Sequence, residues 1–450
     1  MLNKLSYVFI FIACCLVSCS ASRKISNQAR DILINDSILQ KAHIGICIYE
    51  PATGEYIYNY NADKYFIPAS TTKLFTLYAG MKYLGDSITG LKYSIVADTM
   101  YVIPTGDPTL LHSQFKSQPV IEFLKSVYLP IVVSDQNWKA EKYGSGWAWD
   151  DYNDAYMPER NAFPVFGNTV KLIFDKHESI SKAVTPGNYS YIDFTSAGLL
   201  AKTIRYFPDD SAGNVTIKRD AGQNIFDIVF PDKDFYFQKE IPFVTNGITS
   251  TLQVLKDSFP SLRIKEGSNN FSKKIFQTIK TQPADSLYKI MMHQSDNFIA
   301  EQTLLMASNE KLGYMSDEDM ISNLLNTDLA GIPGKPRWVD GSGLSRYNLF
   351  TPHSFVYILD KIKNEFGLER LKDILPAGNE GTLKNYFVEG SDSIFAKTGS
   401  LSNNFALSGM LITRKGKLLL FSIMLNNYPS PATPVRRAIE RFLQETRKKN

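Results

Sequence analysis

The chain has 450 residues, 44% hydrophobic and 12% aromatic, enough apolar material for two or three domains with real cores, which excludes a disordered chain. Its net charge of +4 is small for this length, and Arg447-Lys448-Lys449 at the very end is the sole basic run, so nucleic acid is not an implied partner. Lys4 precedes an apolar run from Tyr7 to Val17 that is too short to span a bilayer and suits the core of a signal peptide. The run ends Leu16-Val17-Ser18-Cys19, which looks like a lipobox. Residues 1–18 therefore read as a lipoprotein signal peptide and Cys19 as the lipidated first residue, giving an exported, membrane-anchored, periplasm-facing protein; a plain signal peptide or an uncleaved anchor is the alternative. With Cys14 and Cys15 removed and Cys19 lipidated, only Cys47 remains, so no disulfide framework exists and Cys47 reads as a small core residue.

Beyond the signal, apolar spacing at Ala29, Ile32, Leu33 and Leu39 predicts a helix within 26–40. Two strand-like runs follow, Ile44 to Tyr49 and Glu55 to Tyr60, joined by the turn signal Pro51-Ala52-Thr53-Gly54. Pro68 then suits the start of a helix from Ser70 to Gly85, with Leu74, Leu77, Tyr78, Met81 and Leu84 on one face. From about Leu91 to Phe271 the character changes to short strand-like pieces (94–98, 131–133, 171–174, 215–218, 225–230) punctuated by Gly, Pro, Asn and Asp, which predicts one or two β-rich inserted domains. Helical spacing returns over 285–308, placing Ser295-Asp296-Asn297 in mid-helix. Thr351-Pro352 caps another helix. Strands are expected at 394–398, 405–412 and 417–425, and an amphipathic helix at 434–446. The fold class is thus α/β (α+β): an antiparallel sheet flanked by helices in a discontinuous catalytic domain (19–90 and 272–450), interrupted by a β-rich insert (91–271).

Ser70 and Lys73, three apart at a helix start, can touch where free backbone N–H groups favour developing negative charge. Spacing alone decides nothing, because five Ser-x-x-Lys matches occur, beginning at Ser70, Ser113, Ser179, Ser286 and Ser308. What distinguishes Ser70 is the availability of partners. A serine hydroxyl must lose its proton to a base, no histidine offers a convincing one, and no Gly-x-Ser-x-Gly elbow exists, so the base is Lys73. Keeping a lysine neutral near neutral pH costs roughly 4 kcal/mol, which a second cation, Lys397 in Lys397-Thr398-Gly399-Ser400, would supply together with partial desolvation. Lys397 also offers a charge for a substrate carboxylate; Ser295 can relay a proton to a leaving amine, and Asn297 can hold the substrate amide. Gly399 admits an extended peptide, and the N–H groups of Ser70 and Ser400 would hold the oxyanion. None of this calls for a metal or cofactor.

Ser-x-x-Lys, Ser-Asp-Asn and Lys-Thr-Gly in this order form the signature of serine penicillin-recognising enzymes. With Pro68-Ala69-Ser70, Gly106-Asp107-Pro108-Thr109-Leu110, Gly146-Trp147-Ala148-Trp149-Asp150-Asp151, Asp340-Gly341-Ser342-Gly343-Leu344-Ser345-Arg346 and Phe395-Ala396-Lys397-Thr398-Gly399-Ser400, most of the mature chain resembles the class C low-molecular-mass penicillin-binding proteins, the D-alanyl-D-alanine carboxypeptidases/endopeptidases. The segment after Phe237 is only loosely similar. The resemblance implies a serine β-lactamase-like catalytic domain, removal of terminal D-alanine from peptidoglycan stem peptides through an acyl-enzyme, possible cleavage of peptide cross-links, and inhibition by β-lactams. It further implies that Asp151, Tyr156, Arg346 and Thr398 contact the substrate or its surroundings. A β-lactamase or esterase on the same fold, and a vestigial wall-binding lipoprotein, are the alternatives.

Overall fold

The computed structural model describes residues 23–176, 203–209, 211–231, 235–267, 276–429 and 431–449. The signal segment and Cys19 lie outside the described residues. Among the described residues no helix is long and apolar enough to cross a membrane. The chain divides into two compact units. One comprises Met1–Met81, Asp285–Asn297 and Ile321–Asn450, the other Lys82–Ala284 and Phe298–Met320. The change of composition at Leu91 therefore falls inside a strand, Ser87–Val96, of the second unit.

The first unit is built on a five-stranded antiparallel sheet with spatial order 394–401, 404–412, 418–426, 43–50, 55–60. The strand His43–Glu50 pairs with Leu418–Asn426, so the two chain ends share one sheet. Both faces are covered, which is why these strands read as continuous apolar runs and not as alternating ones. On one face Ile44, Ile46, Leu407, Phe421 and Ile423 meet Val435, Ile439 and Phe442 of the C-terminal helix Ala432–Lys449 and Ile25, Ala29 and Leu33 near the start. On the other, a β-carbon added to Gly45 would lie 2.5 Å from the Phe66 ring and 2.9 Å from Pro352, so only glycine lets that strand approach. Phe75, Phe350 and Phe355 cluster there with centroids 4.7 to 5.5 Å apart, fixing the helix Lys73–Tyr83 against Pro352–Phe366. Thr351 caps the latter helix, with Pro352 at its first position, as its sequence indicates.

The single helix expected over 285–308 is two: Ala284–His293 and Asn297–Leu312. Ser295 has a φ of +59°, a left-handed conformation that no helix interior accommodates, so Ser295-Asp296-Asn297 forms the break and not the middle of a helix. The apolar stripe continued across the break and concealed it. Of the strand piece expected at 94–98, residues 94–96 end the strand Ser87–Val96, and 97–98 form the hairpin turn to Thr99–Pro104, with Ala97 at φ +49°.

The second unit carries a mixed five-stranded sheet (order 264–266, 131–133, 99–104, 87–96, 277–283), a two-stranded and a three-stranded sheet, over a core containing Val133, Val170, Phe226 and Leu255. Within it Arg160, 1% exposed, donates to Glu301 (2.9 Å), Asp317 (2.8 Å) and the Glu141 carbonyl (2.9 Å). Removing one member of a buried ion cluster leaves its partners' charge uncompensated. Arg160→Met is expected to cost about 3–5 kcal/mol, seen as a lowered urea midpoint; an unchanged midpoint would refute that account.

Candidate active site

Ser70 is placed by its own turn, by the sheet residue Asn426, and by Phe350 and the 340–345 loop outside the sheet. Phe66 pairs with Phe350 through both main-chain bonds (2.8 and 3.0 Å), and the Ile67 N–H donates to Asn426 (2.7 Å). Ala69 then adopts φ +49°, an unfavoured conformation for a non-glycine residue. It starts the tight turn Ala69–Thr72, in which Thr71 donates to the Pro68 carbonyl (2.7 Å) and Thr72 to the Ala69 carbonyl (2.9 Å). The α-helix proper begins at Lys73, so Ser70 and Lys73 span a 3-10 to α junction at the expected helix start.

Lys73 is fully buried. Its Nζ lies 2.9 Å from Ser70 Oγ, 2.6 Å from Asn297 Oδ1 and 2.8 Å from the Ser342 carbonyl. A neutral amine has two N–H groups and one lone pair. The Asn297 and Ser342 oxygens can only accept, so they take the two N–H groups. In a neutral amine those two bonds would leave the lone pair for Ser70 Oγ; in a charged one, Nζ donates to that oxygen.

Lys397 is also fully buried and donates to Ser295 Oγ (2.8 Å) and the Thr398 carbonyl (2.8 Å). Burial first, and the nearby Lys73 charge second, hold its pKa well below the ordinary lysine range. The left-handed Ser295 turns its hydroxyl toward Lys397, and the new helix beginning at Asn297 turns that amide toward Lys73, so the break between helices serves both lysines. Gly399 brings its strand against the nucleophile turn: a β-carbon there would lie 2.4 Å from the Pro68 carbonyl oxygen, 2.9 Å from Thr71 N and 3.1 Å from Ser70 N.

Ser70, Lys73, Ser295, Asn297, Lys397, Thr398 and Ser400 all belong to the first compact unit. Thr398 Oγ1 donates to Thr382 Oγ1 (2.8 Å), and Ser400 Oγ accepts from Arg436 Nη2 (3.1 Å). Arg346 is exposed in the same unit, its guanidinium 3.4 Å from the Ser402 carbonyl at the hairpin after Lys397-Thr398-Gly399. Asp151 and Tyr156 lie in the second unit, on and just after the turn Trp149–Asn153. Burial, then the Asp151 and Asp154 carboxylates, push the Tyr156 phenol far above its usual range.

Ser342 is a Lys73 partner that sequence reasoning missed, because it contributes a carbonyl and not its side chain. Its loop is held by the buried Asp340, which accepts from Gly343 N (2.9 Å), Ser345 N (2.7 Å) and Asn348 Nδ2 (2.7 Å). Thr76 of the nucleophile helix donates to the Gly341 carbonyl (2.6 Å). The motif was visible in the sequence, but its use as a brace for Lys73 needs three dimensions. Thr382 and Arg436 carry no motif and left no signal.

The D-Ala-D-Ala carboxypeptidase 3 (S13) family matches residues 26–446. The chain is similar to the D-alanyl-D-alanine carboxypeptidase DacB of Haemophilus influenzae, with 23% identity over 95% of this chain and 94% of the relative. It is also similar to the D-alanyl-D-alanine carboxypeptidase of an Actinomadura species, with 25% identity over 89% and 81%. The crystal structure of penicillin binding protein 4 from Haemophilus influenzae superposes with a TM-score of 0.75 and 21% identity, covering 94% of this chain and 99% of that one; a second structure of it, in complex with a β-lactam, gives 0.68, with 19% identity and the same coverage. A serine and lysine joined at a helix start, a second buried lysine on the adjoining strand and a family match over nearly the whole chain agree: this chain belongs to the D-Ala-D-Ala carboxypeptidase 3 (S13) family.

Proposed function

We propose that this serine-type D-Ala-D-Ala carboxypeptidase removes the terminal D-alanine of peptidoglycan stem peptides through an acyl-enzyme on Ser70. The observation that carries this reading is the contact of the buried Lys73 Nζ with Ser70 Oγ (2.9 Å), beside the Asn297 and Ser342 oxygens. Lys73 takes the Ser70 proton as Oγ attacks the penultimate D-alanine carbonyl. The N–H groups of Ser70 and Ser400 hold the resulting oxyanion. Collapse expels D-alanine, whose nitrogen receives a proton through Ser295, and water then hydrolyses the ester. Lys397 and Thr398 receive the substrate carboxylate. Asn297 orients Lys73 as well as the substrate amide. Cross-linked stem peptides enter the same site, giving endopeptidase activity, and β-lactams acylate Ser70 as substrate mimics.

Asp151, Tyr156 and Arg346 are proposed to meet the substrate's side chain. The catalytic domain of residues 19–90 and 272–450 is proposed around an insert at 91–271; the gathering of the three motifs in one compact unit supports a discontinuous domain, while 82–90, 272–284 and 298–320 cluster with the other unit. Export as a lipoprotein anchored through Cys19, facing the periplasm, is supported by the apolar run before Leu16-Val17-Ser18-Cys19.

The test is incubation with labelled penicillin followed by peptide mapping, with purified muropeptides analysed by mass in parallel. The adduct is expected on Ser70, with loss of one alanine from pentapeptides. No adduct on folded protein, or an adduct on another serine, would overturn the mechanism. An adduct that turns over rapidly without alanine release would instead indicate a β-lactamase.

A further inference from the structure

A cleft of about 350 Å³ opens within the first unit, between the strands 43–50 and 55–60 and the helix Pro352–Phe366. Tyr49 and Tyr56 stand opposite each other across the two strands, where a register shift between Ile48 and Tyr49 aims them together, with ring centroids 5.1 Å apart. Tyr56 is 46% exposed. Its ring rests 4.7 Å from that of His353, which is itself held by Asp63 (2.7 Å) and Asn59 (3.2 Å). Tyr56 is therefore held in place while partly exposed, with Tyr49 half-buried beside it.

The facing wall is polar but charge-balanced. Asp360 is answered by Lys363 (3.2 Å) and bonded by Asn364 (3.0 Å), and Glu365 by Lys361 (2.7 Å). A free amine would need uncompensated acid in this wall, and an anion would need a cation not already engaged. Fixed tyrosine rings opposite a wall of mutually paired charges and an amide suit a ligand with an apolar C–H face and a rim of hydroxyls and amides, a pyranose sugar. The volume lies within the range of small-molecule sites, about 300–1,000 Å³. Lys397 lies on the first strand of the sheet and Tyr49 on the fourth, three spacings apart, so roughly 14 Å of sheet separates the two. An occupant here would not compete with an acyl group on Ser70.

We infer that this cleft is a second binding site, for a hexosamine glycan chain, which seats the enzyme on the sugar backbone of the wall. The inference rests on peptidoglycan being the substrate. Calorimetric titration of the full chain with the N-acetylglucosamine tetramer is expected to show saturable binding, weakened at least tenfold by Tyr56→Ala or Asn364→Ala and retained by Tyr56→Phe. Penicillin acylation and hydrolysis of a soluble pentapeptide should be unchanged in all three variants, while digestion of whole sacculi falls several-fold in the two weakened ones. Absence of saturable binding by the wild type, equal binding by Tyr56→Ala, or loss of binding on penicillin acylation would each overturn the proposal, as would displacement of the sugar by cadaverine. Failure of penicillin to label Ser70 would overturn the catalytic reading instead, and is read separately.

Discussion

Lys397→Met will yield a protein more stable than the wild type and about 10³-fold slower to be acylated by penicillin. Two lysine amines are buried completely in the site, and burying a charge is costly even when hydrogen bonds compensate it. Lys397 is a base whose pKa in the folded state is pushed below its ordinary 10.5. Between those two values the unfolded chain binds more protons than the folded one, so stability rises with pH there. The cost of Lys397 is accordingly complete below its folded pKa and fades as pH climbs into the ordinary lysine range. Replacement by an apolar side chain of similar length should add about 1–3 kcal/mol near neutral pH, an advantage that shrinks toward pH 10. Urea unfolding at pH 6 and at pH 9.5, beside the acylation rate, measures both halves. A variant less stable than wild type at pH 6, or one acylated at the normal rate, would show that Lys397 does not carry this burden.

Gly343→Ala should cost at least about 10²-fold in acylation rate, although Gly343 touches no substrate. Its φ of +81° already excludes an ordinary side chain without strain, but strain is the lesser effect. A β-carbon would fall 1.9 Å from the Ala69 carbonyl oxygen and 2.5 Å from its carbon, main-chain atoms of the turn that holds Ser70. Either that turn or the 340–345 loop must retreat by about an ångström, a displacement sufficient for losses of this order. Retreat of the loop would also withdraw the Ser342 carbonyl from Lys73. Gly416→Ala is the matched control: its φ is +77°, yet nothing lies within 4 Å of the added carbon. It should lose about 1 kcal/mol of stability and no activity. Equal activity losses in both variants would mean that general destabilisation, not displacement of the nucleophile turn, is responsible.

The sheet and the main helices of the first unit were legible because both chain ends carry strong local signals: a turn at Pro51-Ala52-Thr53-Gly54, a Thr-Pro cap at Thr351-Pro352, and apolar strands bounded by polar turns. The grouping of Ser70, Lys73, Ser295, Asn297 and Lys397 was legible because the chemistry proposed for it is one-sided: a serine without a histidine needs a lysine, and that lysine needs a second cation. Where reading failed, the cause was a main-chain conformation or a main-chain atom. Ser295 breaks a helix that its neighbours' apolar spacing continues, and a φ of +59° leaves no trace in periodicity. Ser342 serves through its carbonyl, which every residue possesses. The second unit was only coarsely legible, since its strands are short and pair over long separations, such as 131–133 with 264–266.

The strand that carries Lys397 lies at the edge of its sheet. The start of that edge is already taken: Ala396 N donates to the Pro376 carbonyl (3.1 Å) and Gly378 N to the Ile394 carbonyl (3.0 Å), with Ala377 bridged to Phe395. Among the described residues, no strand or bridge occupies the outer side from Lys397 to Leu401. A peptide laid along this edge runs out of main chain to pair with at Lys397, whatever its side chains are. The length of open backbone along this edge is therefore set by residues 397–401, independently of the side chains around it.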